Sequence, residues 1–151
     1  MQANYQYNAL GQQVVRELTQ TGEVIHAVHD MDGNRIAEYL YDDTTGASTL
    51  MRQYIWMDQR PVAVVEGGQI YFIRTDHIGR PVFATNDLGV KVWEASYLPF
   101  GGVHTATGGI DLRFSGQWFQ AESGLHQNWM RGCGLTGVEG RLLPRAGLGR
   151  G

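Results

Sequence analysis

The sequence predicts an all-β fold: a curved antiparallel sheet built from repeated hairpins. Glycine is abundant, at 21 of 151 residues, which is about twice its usual share of roughly 7%. Short runs rich in aromatic and β-branched residues, the types that favour strands, alternate with turns. An Asp/Asn-x-x-Gly turn recurs, with Gly11 and Gly33 22 residues apart. A period of about 20 residues is typical of repeats that bury their faces only against neighbours.

The first strand-turn-strand units are Tyr5–Val14, Ile25–Tyr39 and Tyr39–Gly46. Asp or Asn starts such a turn by accepting hydrogen bonds from the backbone downstream, and glycine ends it with a positive φ. Glu17–Gln20 has a weak helical character. Threonine and glycine cut it short, so we expect a strand there as well.

The middle of the chain alternates in the manner of half-buried strands. This alternation predicts a shared buried face for Tyr54, Trp56, Val62 and Val64. Pro61 and Pro81 are expected at strand starts or sheet edges, because proline cannot donate to the ladder. The small, polar and glycine-bearing segment Val103–Ile110 predicts a loop.

Composition argues against several classes of protein. The net charge is −3, and no basic stripe runs through residues 1–130, so we expect no nucleic-acid partner. The single cysteine, Cys133, allows no disulfide within the chain, and no Cys-His metal spacing occurs. We therefore predict no metal and no cofactor. No stretch approaches the roughly 18 apolar residues of a membrane span, and no signal peptide is recognisable.

Residues 132–151 differ from the rest of the chain. They hold seven glycines and no aromatic residue, and three arginines against one glutamate give a charge of +2. Glycine at this density loses much entropy on ordering. We expect this tail to be disordered or loosely packed.

Four motifs follow one another between residues 71 and 131: Thr75–Pro81, Tyr97–Gly101, Leu112–Gln117 and Glu122–Asn128. With these motifs, residues 71–131 resemble the Rhs repeat-associated core domain, and the tyrosine-rich units before them resemble YD repeats. The positions that match, all expected to be structural, are Asp76, His77, Gly79, Pro81, Pro99, Phe100, Gly101, Arg113, Phe114, Gly116, Gln117, Glu122, Gly124, Leu125, Asn128 and Arg131.

The resemblance implies three segments: YD-type repeats at 1–70, a partial core at 71–131 and an unrelated tail at 132–151. Proteins of this family enclose a C-terminal toxin in a β-sheet shell and are exported from bacteria that compete with other cells. The expected partners are therefore the rest of such a shell, another β-rich chain or a second copy, with a toxin as cargo in a longer parent.

The family's core also cuts the toxin free by an aspartate-dependent self-cleavage, and here the sequence departs from the family. Arg131 fits the last element, but Gly132 follows where an aromatic residue or Asp is expected. No Asp-Pro occurs, no aspartate follows Asp111, and Gln120 stands where the family often has Asp. Aspartyl chemistry needs two neighbouring carboxylates. We predict that self-cleavage is lost and that the chain is not an enzyme.

Several residues invite a chemical interpretation that we consider weaker than a structural one. Asp76 and His77 could form an acid-base pair, but adjacent strand residues face opposite ways, which favours a turn role. The same argument opposes metal binding by His26 and His29. Cys133 could be reactive, yet no histidine is near it in sequence.

Two further sets of residues are expected in the core. Arg113 and Glu122 are predicted to form an ion pair there. Four tryptophans could form a sugar-binding face, but core packing is favoured for Trp56, Trp93, Trp118 and Trp129.

Three functions remain open from the sequence. The first is a shell or cap fragment of a toxin, without the toxin domain. The second is a residual aspartyl self-protease that uses Asp111 with another acid. The third is a binding module that recognises a partner strand or a glycan.

Overall fold

The computed structural model describes residues 3–97, 103–107, 109–113, 117–128 and 131–133. Strands β1–β10 form one sheet in chain order, and β11–β13 form a second. The large sheet comprises β1 (Ala3–Tyr7), β2 (Gln13–Leu18), β3 (Val24–His29), β4 (Arg35–Tyr41), β5 (Ser48–Met57), β6 (Arg60–Glu66), β7 (Gln69–Thr75), β8 (Pro81–Thr85), β9 (Lys91–Tyr97) and β10 (Val103–Thr107). The small sheet comprises β11 (Gln117–Gln120), β12 (Leu125–Asn128) and β13 (Arg131–Cys133).

Every strand pair is antiparallel, which confirms the predicted fold class. The segment at Glu17 lies in strand β2, as expected. Within the described part of the chain, no helix has the length and apolar character needed to cross a membrane.

Four hairpin turns share one hydrogen-bond pattern. They begin at Asn8, Asp30, Asp76 and Asn86. In each, the first residue's Oδ1 accepts from the backbone N–H groups two and four residues later, at 2.8–3.1 Å. The glycine three positions on has a φ between 77° and 86°. The Asp/Asn-x-x-Gly signature thus predicts both the place of these turns and their mechanism.

Register shifts occur in seven of the nine described ladders of the large sheet. A bulge increases the local twist of a strand pair and bends it. Repeated bulges therefore coil the sheet rather than leaving it flat.

The apolar core lies between the two sheets. Its buried members are Tyr54, Val64, Ile73, Ala84, Trp93, Ala95, Ile110, Leu112 and Trp118, with Trp56 and Tyr97 packed against them. Three of these come from residues 110–118 and cover the β5–β9 part of the large sheet. The small sheet and the segment before it thus close one face of the large sheet.

Two sequence expectations need correction. The bulge between Ile55 and Trp56 pairs Trp56 with Pro61, so Pro61 is buried on the core side where the alternation predicted Val62. The predicted loop from Val103 forms strand β10 over Val103–Thr107, because pairing with β9 outweighs its weak strand propensity.

Other expectations fare differently. Pro61 is the second residue of β6 and Pro81 the first of β8, as expected of prolines near strand starts. The large sheet passes through the boundary at 70/71 within β7, so that division stays a prediction about sequence families. The tail lies outside the described residues, except that 132 and 133 belong to β13, and its division from the rest at 131/132 stays a prediction.

Candidate functional site

A buried polar network joins the N-terminal strands of the large sheet to the small sheet. We call it the inter-sheet network, formed by Tyr5, Gln13, Arg16, Arg35, Glu38, Gln120, Glu122 and Gln127. Strands β1, β2 and β4 supply one side, and the β11–β12 hairpin supplies the other. The partners lie about 90 to 120 residues apart in sequence, as with Arg35 and Gln127.

Arg35 is the centre of this network and is only 3% exposed. Its Nη1 donates to Glu38 Oε1 at 2.8 Å, and its Nη2 donates to Gln127 Oε1 at 3.0 Å. The guanidinium carbon lies 4.3 Å from the ring centroid of Trp118, which is a favourable cation–π distance. Arg35 therefore ties the small sheet to the large one through both charge and stacking.

Glu38 is the buried anion of the network. Besides Arg35, it accepts a 2.9 Å hydrogen bond from the Tyr54 hydroxyl, and Arg16 lies 4.0 Å away. Burial raises the pKa of Glu38, but Arg35, Arg16 and the tyrosine hydrogen bond outweigh this and lower it below its usual value. Glu38 is thus held as a carboxylate.

Three further contacts hold the tip of the β11–β12 hairpin. Gln120 Nε2 donates to Gln13 Oε1 at 3.0 Å. The Tyr5 hydroxyl donates to Glu122 Oε1 at 3.1 Å, and Arg16 lies 3.7 Å from the same oxygen. The predicted pairing of Glu122 with Arg113 is therefore wrong, because the hairpin carries Glu122 toward β1 and β2.

Arg113 instead lies beside the apolar core. Its Nη1 donates to the carbonyl oxygens of Ile110 and Leu112, and its guanidinium lies 5.8 Å from the Trp93 ring and 5.3 Å from the Phe119 ring. Burial lowers the pKa of Arg113, although Tyr97 and Asp111 oppose that shift. Its role here is to satisfy backbone carbonyls between aromatic rings.

Asp111 is the one aspartate that the sequence suggested for cleavage chemistry. Its carboxylate lies 3.9 Å from Arg52 Nη1, and its side chain is 37% exposed. Burial raises the pKa of Asp111, although Arg52 and Arg113 oppose the shift. The ion pair of this carboxylate is thus with Arg52, while the charge of Glu38 helps to raise its pKa.

Asp76 performs the turn role. Its Oδ1 accepts from the amides of Ile78 and Arg80, and its Oδ2 lies 2.7 Å from Arg80 Nε. Burial raises the pKa of Asp76, but these hydrogen bonds outweigh it and lower the pKa below the usual value. His77 is exposed in the same turn.

Some of the remaining motif positions lie in the described structure, and others lie outside the described residues. Gly79 lies in the Asp76 turn, Gly124 has a φ of 66° in the β11–β12 turn, and Gln117, Leu125, Asn128 and Arg131 lie in the small sheet. The positions outside the described residues are Pro99, Phe100, Gly101, Phe114 and Gly116, together with Trp129.

The histidines and tryptophans largely follow the structural interpretation. His26 stacks on Tyr41 with ring centroids 4.7 Å apart. Burial and the charge of Arg35 lower the pKa of His29 to about 4. Trp93 and Trp118 are buried in the core and Trp56 packs against it, as predicted. No cluster of three or more metal-ligating side chains occurs among the described residues.

The expectation that Cys133 has no histidine nearby requires a correction. It has no histidine near it in sequence, but the β12–β13 register pairs it with His126.

Sequence reasoning missed most of the inter-sheet network. Arg16, Arg35 and Glu38 are charged residues on strands β2 and β4, most of whose positions are buried or half-buried. Buried charges are rare unless they are paired, so charges at such positions are the signal that would have indicated a polar interface.

Comparison with known proteins adds two informative similarities. The chain is 26% identical over 121 residues to double-stranded DNA deaminase toxin A of Burkholderia cenocepacia strain H111, a match that covers 72% of this chain and 8% of that protein. A chain of the Photorhabdus luminescens Tc holotoxin pore superposes with a TM-score of 0.64 at 16% identity, covering 86% of this chain and 7% of that one. The chain shares its fold with a part of that toxin.

Further comparisons are less informative. A chain in the crystal structure of TcdB2–TccC3 covers 87% of this chain and 8% of its own length, at 14% identity and a TM-score of 0.46, and a likeness that low supports no conclusion. No protein-family model matches the chain. The similarity to the Tc holotoxin chain shows the fold, and both the Rhs-type family and the assignment of residues 71–131 to its core domain stay predictions.

Proposed function

We propose that this chain is a segment of the β-sheet shell of an Rhs-type toxin, that it carries no toxin domain and that it does not cleave itself. The observation that carries this proposal is the ten-stranded meander in chain order, whose fold recurs as a small part of a Tc holotoxin chain. The chain spans only 7% to 8% of the similar proteins. The enclosed toxin, the export route and the use in bacterial competition all belong to a longer parent.

The open edges of the sheet support a role as a wall segment. Among the described strands, β1 pairs only with β2, and β10 pairs only with β9. An unpaired edge is a template for another strand. In a shell the neighbouring strands of the parent chain would cover these edges.

Light scattering over a range of protein concentrations tests this proposal. Open edges predict concentration-dependent association of the isolated chain. A species that remains monomeric at every concentration would contradict the role as a wall segment.

The absence of self-cleavage is tested separately. The ion pair described for Asp111 is with Arg52, and Glu38 acts on Asp111 as a like charge without a described hydrogen bond between the two, which supports an inactive site. We expect the intact mass to stay unchanged on prolonged incubation, both for the wild type and for Asp111→Asn. Release of a fragment by the wild type but not by Asp111→Asn would favour the residual aspartyl self-protease instead.

One observation favours the binding module as a second candidate. On the face away from the core, the register aligns Ile55, Ala63 and Phe72 across β5–β7; Ile55 and Phe72 are 45% and 42% exposed, and they flank Ala63, which is 5% exposed. Exposed apolar rows often mark interaction sites. Binding in a glycan array or a pull-down that is lost in Phe72→Asp, but kept in the outer-face control Gln53→Asp, would support this candidate.

A further inference from the structure

The described hairpin turns on one side of the large sheet each expose a large apolar side chain. Because the strands follow one another in chain order, the turns β1–β2, β3–β4, β5–β6 and β7–β8 lie at the same end of their strands. At or beside these turns stand Leu10, Met31, Met57 and Ile78, which are 60%, 96%, 61% and 45% exposed. We call these four residues the tip row.

The turns at the opposite end of the strands have a different composition. Of the described turns there, that between β8 and β9 exposes a large apolar side chain, Leu88. The other three, at residues 19–23, 42–47 and 67–68, consist mainly of threonine, glycine and acidic residues, which are ordinary turn types. Single apolar residues on a surface are normal. A row with one at every described turn of one side indicates a contact surface.

The order of the tip row is symmetric. It runs from a branched aliphatic residue through two methionines to a second branched aliphatic residue. Neighbouring strands are about 4.8 Å apart, and the tips recur every second strand, so they are spaced by about 10 Å. The row therefore presents the same chemistry at the same spacing in both directions. A two-fold interface requires this, because each patch meets its own copy in reverse order.

The exposed charges beside the two methionines are also complementary under this reversal. Asp32 follows Met31 in its turn, and Arg60 is the register partner of Met57. Both charged residues are exposed. When the row meets a reversed copy, Met31 lies opposite Met57 and Asp32 lies on the side of Arg60. Asp58 is exposed in the same turn as Arg60, so one acidic group of each copy stays in solvent.

We propose that the tip row is a docking surface for a second copy of this chain, in a two-fold dimer with Met31 of each copy against Met57 of the other. Methionine suits the centre of such a contact, because its flexible side chain adapts to the surface that it meets. The interface leaves the edges of β1 and β10 unused. It is therefore independent of the proposed role as a wall segment, which concerns those edges.

The first test is sedimentation velocity over a wide range of concentrations, with Gln6→Lys in every chain to suppress strand pairing at β1. We expect a reversible monomer–dimer equilibrium whose Kd rises at least about tenfold in Met31→Ser/Met57→Ser, because the central apolar contact is lost. Leu88→Ser is the matched control, since it removes an exposed turn residue from the opposite side. A monomer at every concentration, an unchanged Kd in the methionine variant or an equal rise in Leu88→Ser would overturn the proposal.

The second test measures the order in which the two rows meet. Chains with Cys133→Ser and either Met31→Cys or Met57→Cys are mixed with oxidised glutathione, and disulfide-linked dimers are followed by non-reducing electrophoresis and mass. We expect the mixture of the two variants to cross-link faster than either variant alone, because each tip lies opposite the other tip of the copy. Cross-linking at equal rates in the mixture and in the separate variants would overturn the two-fold arrangement.

Discussion

At the scale of single residues, the first residue of each shared turn determines how well that turn is held. Asp76 accepts two backbone hydrogen bonds and one from Arg80. Asp76→Ala should lower the free energy of unfolding by about 1–2 kcal/mol in urea denaturation, because two amides lose their acceptor. Asp76→Asn should cost about 0.5 kcal/mol, since it keeps an acceptor and loses a partly exposed ion pair.

The matched control for Asp76 lies in the next shared turn. Asp87 is exposed there, and Asp87→Ala removes the same charge from a position after Asn86. We expect its effect to stay within about 0.5 kcal/mol, as for most surface substitutions. Equal losses in Asp76→Ala and Asp87→Ala would mean that charge, and not the turn hydrogen bonds, decides the stability.

His29 gives the protein a pH dependence at the same scale. Its pKa is about 4 in the folded chain, against about 6.5 when unfolded. Between these values the unfolded state binds more protons, so stability is full above the unfolded pKa and falls as the pH is lowered toward the folded pKa. We expect the fall in the urea midpoint between about pH 7 and about pH 4.5 to be smaller in His29→Gln than in the wild type.

The exposed His77 provides the comparison for this prediction. His77→Gln should keep the full pH dependence of the wild type, because an exposed side chain is solvated in both states. A reduced dependence in His77→Gln, with none in His29→Gln, would contradict the assignment to His29.

At the scale of elements, the small sheet is held to the large one by a buried ion pair. Removing one partner of such a pair leaves the other charge buried and unpaired, which typically lowers the stability by about 3–5 kcal/mol. Replacing both partners with apolar residues often lowers it much less. We therefore expect the double variant to lose less unfolding free energy than the sum of the losses in Arg35→Met and Glu38→Met. Denaturation of the four proteins of this double-mutant cycle measures that coupling.

The control is a solvent-exposed ion pair whose N–O distance is nearly the same as that between Arg35 and Glu38. Lys91 and Glu94 lie 2.9 Å apart, and their side chains are 50% and 57% exposed. The corresponding cycle with Lys91→Met and Glu94→Met should give a coupling below about 0.5 kcal/mol. A coupling at Arg35–Glu38 no larger than this would show that the inter-sheet network contributes little.

At the scale of the whole molecule, the open edges of the sheet should control association. Gln6 is an exposed residue of edge strand β1, and lysine on an edge disfavours pairing with another chain. Gln6→Lys should reduce the association seen in light scattering. Gln53→Lys adds the same charge to the central strand β5 and should leave association unchanged, whereas equal effects would point to net charge instead.

Local features of this chain were predictable from the sequence. The turns at Asn8, Asp30 and Asp76 were expected because their hydrogen bonds close within five residues. The burial of Trp93 and Trp118 was also expected, because large aromatic side chains dominate β cores. The strand at Val103 could not be predicted, since its stability comes from the register with β9 rather than from its own residues.

The sequence by itself determined the all-β class, the hairpin order and the turn chemistry, because each depends on contacts between near neighbours. The tertiary structure decided which distant residues meet. It paired Arg35 with Gln127, sent Glu122 to Tyr5 and Arg16 instead of Arg113, and set Cys133 opposite His126. The reason is that these contacts follow from how the small sheet folds back over the large one, between residues as far as 117 positions apart in sequence.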